Sequence, residues 1–214
     1  MASYLGSYPG AATGRVEKFK RAVRSFVNQR HKVSELIIVA DGCPLTEQTL
    51  FEMYTVSQIQ EMDKAGYSIR LVSIPKQPEY AGEVRNAGLR AATGDIVCYL
   101  DNDDLFMLGH LQAVWAGFLP GGDVIGYRQW VYFDDFLANP DLGVQRTRYT
   151  HLTYGGIGTG GFAHERAMGV TWEDGYGHDW RFVQRLQEKC PHTKKIQGTG
   201  YLVCHIPGES GIDY

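Results

Sequence analysis

Apolar and polar positions change their period along the chain, and the changes mark out elements. Over residues 15–29 the apolar residues Val16, Phe19, Val23, Phe26 and Val27 recur at helical spacing, with Arg and Lys on the other face. Such a charged face reads as solvated. Residues 35–40 read as a buried strand, apolar from Leu36 to Ala40 and broken by Asp41-Gly42-Cys43-Pro44. A helix over 46–64 follows, with Thr46 as N-cap, Leu50, Met53, Ile59 and Met62 inward, and Gly66 as its stop. Residues 67–74 alternate as a strand, and Pro75 ends it. Residues 79–93 read as a helix closed by Gly94, and 96–100 as a strand buried on both faces. A short first strand over 3–8 ends at Pro9-Gly10. Strand and helix thus alternate through the first half, which calls for a mostly parallel sheet with right-handed crossovers.

Beyond residue 105 the pattern loosens. It predicts a helix over 108–118 and strands within 123–133 and 144–154. Turns are expected at Asp134-Asp135 and Asn139-Pro140-Asp141. A Gly-rich turn then feeds a helix whose apolar face is Phe182, Val183 and Leu186, and 200–206 is a last strand carrying His205. Gly156-Ile157-Gly158-Thr159-Gly160-Gly161 matches GxGxxG by letter, but no long helix follows it, so the dinucleotide context is missing. It is a wall of a binding site or simply a loop.

The candidate chemistry sits at the end of the 96–100 strand. Asp101-Asn102-Asp103-Asp104 puts three carboxylates within four positions. Like charges at that spacing raise each other's pKa unless a cation stands among them. A hard divalent ion with one or two carboxylates and substrate phosphates is the usual remedy, and ligands of open α/β sheets bind beyond the carboxyl ends of strands. The plainer reading is a solvated turn with Asp103 or Asp104 capping the next helix. Asp41 ends another strand, and Asp179 lies in the first turn of the late helix, where the helix dipole favours a negative charge.

Composition narrows the class. The 214 residues, 43% hydrophobic, suffice for one domain with a real core. A net charge of −3 gives no footprint for nucleic acid. Neither a signal peptide nor a membrane span is legible, which leaves peripheral attachment open. Cys43, Cys98, Cys190 and Cys204 form no CxxC pair and read as reduced thiols of a cytoplasmic protein.

Several motifs in one order give the chain a resemblance. They are Ser25-Phe26-Val27-Asn28-Gln29, Leu36-Ile37-Ile38-Val39-Ala40-Asp41-Gly42, Arg85-Asn86-Ala87-Gly88-Leu89, Thr93-Gly94-Asp95 and Leu100-Asp101-Asn102-Asp103-Asp104, followed late by Gly177-His178-Asp179-Trp180. In this set the chain resembles the family 2 glycosyltransferases of the GT-A fold. The resemblance implies a Rossmann-like α/β domain spanning 1–214, with a nucleotide-binding half to about 105 and an acceptor-binding half after it. It implies inverting transfer from a nucleotide-diphosphate sugar, a UDP-sugar foremost, to a hydroxyl of a glycan or other acceptor. By position, Tyr8 and Pro9 would flank the base and Asp41 would accept a hydrogen bond from it. Arg85 would lie beside the nucleotide, Asp101 would contact the ribose, and Asn102 belongs to the same donor site. Asp103 would hold Mn²⁺ or Mg²⁺, His205 matches a late histidine that ligates metal in some relatives, and Asp179 would be the general base. The chain departs from the family at Ser7-Tyr8-Pro9-Gly10, at Cys43-Pro44 and at His178, which stands where the family carries Glu. Two other readings remain: a sugar nucleotidyltransferase, of whose Gly-rich loop residues 10–15 are a faint echo, and a silent nucleotide-sugar or glycan-binding module.

Overall fold

A parallel ladder built on one long apolar strand carries the first half of the protein, in a computed structural model that describes residues 1–8, 11, 13–78, 81–119, 129–139 and 144–204. β1 (Ala2–Ser3) leads to α1 (Arg15–Val27), and β2 (Ser34–Asp41) follows. α1 buries Phe19, Val23 and Phe26, the face its periodicity marks. β2 is buried from Leu36 to Asp41 and pairs in parallel with β1 on one side. The Met1 amine, donating to the Ile37 carbonyl at 2.8 Å, extends that pairing by one residue. Of the first strand read over 3–8, only the start is in a ladder; Pro9 and Gly10 lie outside the described residues.

The helix expected over 46–64 is two helices, α2 (Pro44–Met53) and α3 (Val56–Lys64). Thr55 breaks it: its side chain accepts the Gln58 N–H while the Gln58 side chain accepts the Thr55 N–H, a complete capping box. Cys43, followed by Pro44, caps α2; Thr46 is buried against Ser3, their hydroxyls 3.0 Å apart. β3 (Tyr67–Ile74) pairs with β2 over its whole length, Ser34 opposite Tyr67 and Asp41 opposite Ile74. α4 (Gly82–Ala91) then crosses to β4 (Ile96–Cys98).

β4 is shorter than its apolar run and only half-buried. One of its edges pairs with a later strand, while a cavity of about 510 Å³ separates it from β2, lined by Leu36, Ile37, Ile96 and Val97 with Arg85 and Asp101 at its border. Tyr99 and Leu100 continue into the interior without a ladder.

The second half is mixed. It comprises β5 (Leu105–Phe106), α5 (His110–Phe118), β6 (Trp130–Tyr132), β7 (Asp135–Asn139), β8 (Val144–Arg148), β9 (Phe162–Glu165), α6 (His178–Lys189), β10 (Lys194–Lys195) and β11 (Tyr201–Val203). One sheet runs β10-β6-β9-β4 and another β5-β11-β7-β8. Asp135, read as part of a turn, opens β7 instead, because its buried carboxylate is held by Arg148 of the antiparallel partner, Nε to Oδ1 at 2.7 Å. An aromatic stack of Tyr99, Phe162, Trp172 and Phe182 fixes α6 to the β4–β9 sheet, with Trp172 on Phe182 at 4.3 Å. No described helix is long and apolar enough to cross a membrane.

Candidate active site

The acidic turn begins at Asp101, after Tyr99 and Leu100 carry the chain on from the end of β4. The Asp104 N–H closes it onto the Asp101 carbonyl at 3.2 Å. Asp104 is not a helix cap: α5 starts at His110, with Gly109 before it. Its buried carboxylate instead receives the Tyr201 hydroxyl on Oδ2 and the Cys204 N–H on Oδ1, both at 2.8 Å. Tyr201 Oη in turn accepts the Asp101 N–H at 3.1 Å. Burial, then the charges of Asp103 and Asp101, push the Asp104 carboxyl well above its ordinary value. Burial is the larger cause; the crowding of Asp103 and Asp101 adds to it, and a cation would relieve that lesser share. Among the described residues no three His, Cys, Asp or Glu side chains converge as a metal set, and His205 lies outside the described residues. One or two carboxylates suffice when a diphosphate supplies the remaining oxygens, so half-buried Asp103 beside Asp101 and Asp104 fits such an ion.

A series of close polar contacts runs from this turn to the late helix. Arg85 of α4 donates from Nη2 to Asp101 Oδ1 at 3.1 Å, and its Nη1 lies 3.0 Å from His178 Nε2. His178 Nε2 is 3.0 Å from Asp179 Oδ1. Thr159 Oγ1 donates to that same oxygen at 2.6 Å. Burial raises the Asp179 carboxyl, but the His178 contact, the Thr159 hydroxyl and the Arg85 charge outweigh it and hold it below its usual value. Asp179 Oδ2 has no hydrogen-bond partner among the described residues. The side chain is 28% exposed, so this second oxygen can meet a substrate.

Local sequence explains why α6 begins there. Gly177 precedes it at φ 76°, a left-handed turn in which a Cβ would press on the Tyr154 ring. Asn86 holds the preceding loop from both sides: its Nδ2 donates to the Trp172 carbonyl at 2.9 Å and its Oδ1 accepts the Trp172 N–H at 2.7 Å. Asp174 caps the approach by accepting the Gly82 N–H at 2.9 Å. The Arg85 guanidinium lies over the Trp172 ring, 4.8 Å from its centroid.

A second group gathers at the carboxyl ends of β1 to β3. Asp41 is buried, with Oδ2 on Lys76 Nζ and Oδ1 on the Gln77 N–H, both at 2.6 Å. Lys76 also lies over the Tyr4 ring, and Arg15 over the exposed Tyr8 ring at 4.7 Å. Asn102 is half-buried in the acidic turn, and Pro9 lies outside the described residues. Arg85, Asp101 and Asp179 are therefore brought together, and Asp41 and Tyr8 belong to a neighbouring aromatic and basic cluster. Thr159, Trp172, Tyr201 and Lys76 were not among the sequence candidates. Only Thr159 had a signal, its place in a glycine-dense run; the rest act across separations no local pattern records.

Fold and site together define an α/β protein with an acidic turn beyond a strand end, linked through Arg85 and His178 to a carboxylate on a later helix. The glycosyl transferase family 2 profile matches residues 14–165, and the chain belongs to that family. A protein of Nostoc sp. (strain PCC 7120), described as an uncharacterized glycosyltransferase, is 33% identical over 106 residues, 50% of this chain and 30% of that protein. Residues 1–349 of S. aureus TarS superpose with a TM-score of 0.64 at 14% identity, covering 94% of this chain and 58% of that one. The same fragment in complex with UDP-GlcNAc matches at 0.64 and 17% identity, covering 91% and 57%. At these identities the likeness to TarS establishes the fold. The chain spans under two thirds of the length of each of these proteins.

Proposed function

We propose that the protein is an inverting glycosyltransferase that moves a sugar from a UDP-sugar to a hydroxyl of a glycan or other acceptor. The observation that supports this is the Asp101–Arg85–His178–Asp179 series of contacts, which links the acidic turn to a carboxylate of the late helix. TarS, which shares the fold, binds UDP-GlcNAc in one structure and UDP in another, so these are the first ligands to try. The Tyr8 and Pro9 turn and Asp41 receive the base, while Arg85, Asp101 and Asn102 receive the ribose and diphosphate side. Asp103, with His205, holds Mn²⁺ or Mg²⁺.

Asp179 Oδ2 takes the proton of the acceptor hydroxyl as that oxygen bonds to the anomeric carbon. The bond from this carbon to the diphosphate oxygen breaks, and its electron pair leaves with the nucleoside diphosphate. A single displacement inverts the carbon. A divalent ion bound at Asp103 supplies Lewis-acid stabilisation of the leaving diphosphate. Thr159 fixes Oδ1, which leaves Oδ2 directed at the acceptor. The first 105 residues form the donor half and the remainder the acceptor half.

Calorimetry of UDP with and without Mn²⁺, and UDP release from UDP-GlcNAc and other UDP-sugars over a glycan panel, test the reading. Asp179→Asn is expected to bind UDP as the parent does and to lose transfer by about 10²–10⁴-fold. Asp103→Ala is expected to abolish the Mn²⁺-dependent part of UDP binding. Parent-level turnover by Asp179→Asn rejects the base, and equal UDP affinity with and without Mn²⁺ rejects the metal.

A further inference from the structure

His178 directly precedes the carboxylate assigned as the base, and its ring has consequences for that neighbour. His178 Nδ1 lies 3.0 Å from the Gly175 carbonyl, which can only accept, so Nδ1 carries a hydrogen. In the neutral ring Nε2 is then an acceptor. Its neighbours at 3.0 Å are opposite in kind: Arg85 Nη1, a permanent donor, and Asp179 Oδ1, an acceptor when ionised. Nε2 therefore satisfies one neighbour at a time. Neutral, it accepts from Arg85 and leaves Asp179 to Thr159. Protonated, it donates to Asp179 and gives up Arg85.

We propose that His178 is a positioning residue whose Nε2, shared between Arg85 and Asp179, makes transfer depend on the protonation of the ring. The proposal rests on Asp179 as the base. In the neutral state Arg85 is held between Asp101 and His178, which keeps the donor side ordered while Asp179 stays more basic than it would beside an imidazolium. In the protonated state the imidazolium binds Oδ1, lowers the proton affinity of the carboxylate and repels Arg85. Transfer then falls on the acid side.

Among the described residues His178 faces Arg85 from α4, Asp179 on α6, Asp101 through Arg85, and the Trp172 ring, with 5.7 Å between the ring centroids. Of the two acids in the preceding loop, Asp174 is engaged with the Gly82 N–H, and Glu173 is paired with Arg181 and Arg185. The side chain is 18% exposed, so it exchanges protons with solvent.

The test compares the parent with His178→Gln and His178→Ala in UDP release from the best UDP-sugar, as kcat and KM against pH. Glutamine places an uncharged amide near Nε2, able to accept from Arg85 and donate to Asp179 at every pH. His178→Gln should lower kcat by no more than about 5-fold, leave the donor KM within about 2-fold, and lose the acid limb of the parent profile. His178→Ala should lower kcat by about 10–100-fold. An unchanged acid limb in His178→Gln, or parent kcat in His178→Ala, overturns the inference. ¹⁵N NMR of the His178 ring gives a readout independent of turnover: Asp179→Asn should change the Nε2 chemical shift, because that nitrogen loses the carboxylate beside it. An unchanged shift rejects the shared nitrogen. Parent-level turnover by Asp179→Asn would instead reject the base itself, so the two failures are distinguishable.

Discussion

Single residues join the two ends of this site, and one of them is a glycine. Gly160 is buried in the turn that presents Thr159 to Asp179, and a Cβ there would overlap the ring of Tyr201. Tyr201 is the residue whose hydroxyl ties Asp104 and the Asp101 backbone together. One missing methyl thus lets the acid turn and the base turn share a wall. Gly160→Ala is expected to cost about 1–3 kcal/mol by overpacking, read as a lower urea midpoint. Gly158→Ala, whose Cβ would meet only Arg148 Nη2 at 3.5 Å, is the control and should stay within about 0.5 kcal/mol. Equal midpoints for the two would remove Gly160 from this role. The carboxylates of the site were legible in the sequence because each ends a strand or starts a helix. Tyr201 and Trp172 were not, because their work is done across 86 to 100 positions of chain.

At the scale of elements, periodicity located the first half well. β3 matches its expected bounds, and α1 falls within two residues of them. The one broken helix shows what periodicity misses. Apolar spacing through Leu50, Met53, Ile59 and Met62 suits one helix, yet Thr55 and Gln58 satisfy each other's backbone N–H and start a new one. A cap is a local hydrogen-bond decision and overrides a hydrophobic stripe. Thr55 and Gln58 are exposed, so their removal should leave the core intact. Thr55→Ala is therefore expected to cost about 1 kcal/mol, a fall in Tm of about 2–4 °C for a chain of this size. A melt unchanged by the substitution would show that packing alone sets the break. β4 erred the other way: an unbroken apolar run suggested a strand covered on both faces, but its edge toward β2 borders a cavity rather than a strand. Hydrophobicity reports burial, not pairing.

At the scale of the whole molecule, two histidines are enclosed so completely that their protonation competes with folding. His110 stacks on Phe106 at 4.2 Å and accepts the Gly200 N–H through Nδ1, while His164 faces the Tyr99 hydroxyl at 2.8 Å and the Glu165 carbonyl at 2.9 Å. Burial lowers His110 to about 3 and His164 to about 4. The unfolded chain binds protons at these residues near pH 6.5 and the folded chain does not. Their contribution is therefore full above about pH 6.5 and is lost as pH falls, at up to about 1.4 kcal/mol per pH unit for each. Asp104 opposes this trend. Its raised carboxyl lets the folded state take a proton first, so the folded state gains stability over the same acid range. The net slope of one melt series mixes the two signs, whereas a difference between variants cancels the common acid. His110→Phe replaces a ring already stacked among Phe106, Phe133 and Tyr201. Urea titrations of the parent and this variant at intervals from pH 7 to 5 should therefore diverge in slope, with the variant losing about 1.4 kcal/mol less per pH unit below pH 6. Parallel curves would mean that His110 takes up its proton without unfolding the protein, and that the aromatic enclosure around Tyr201 opens to water while the fold persists.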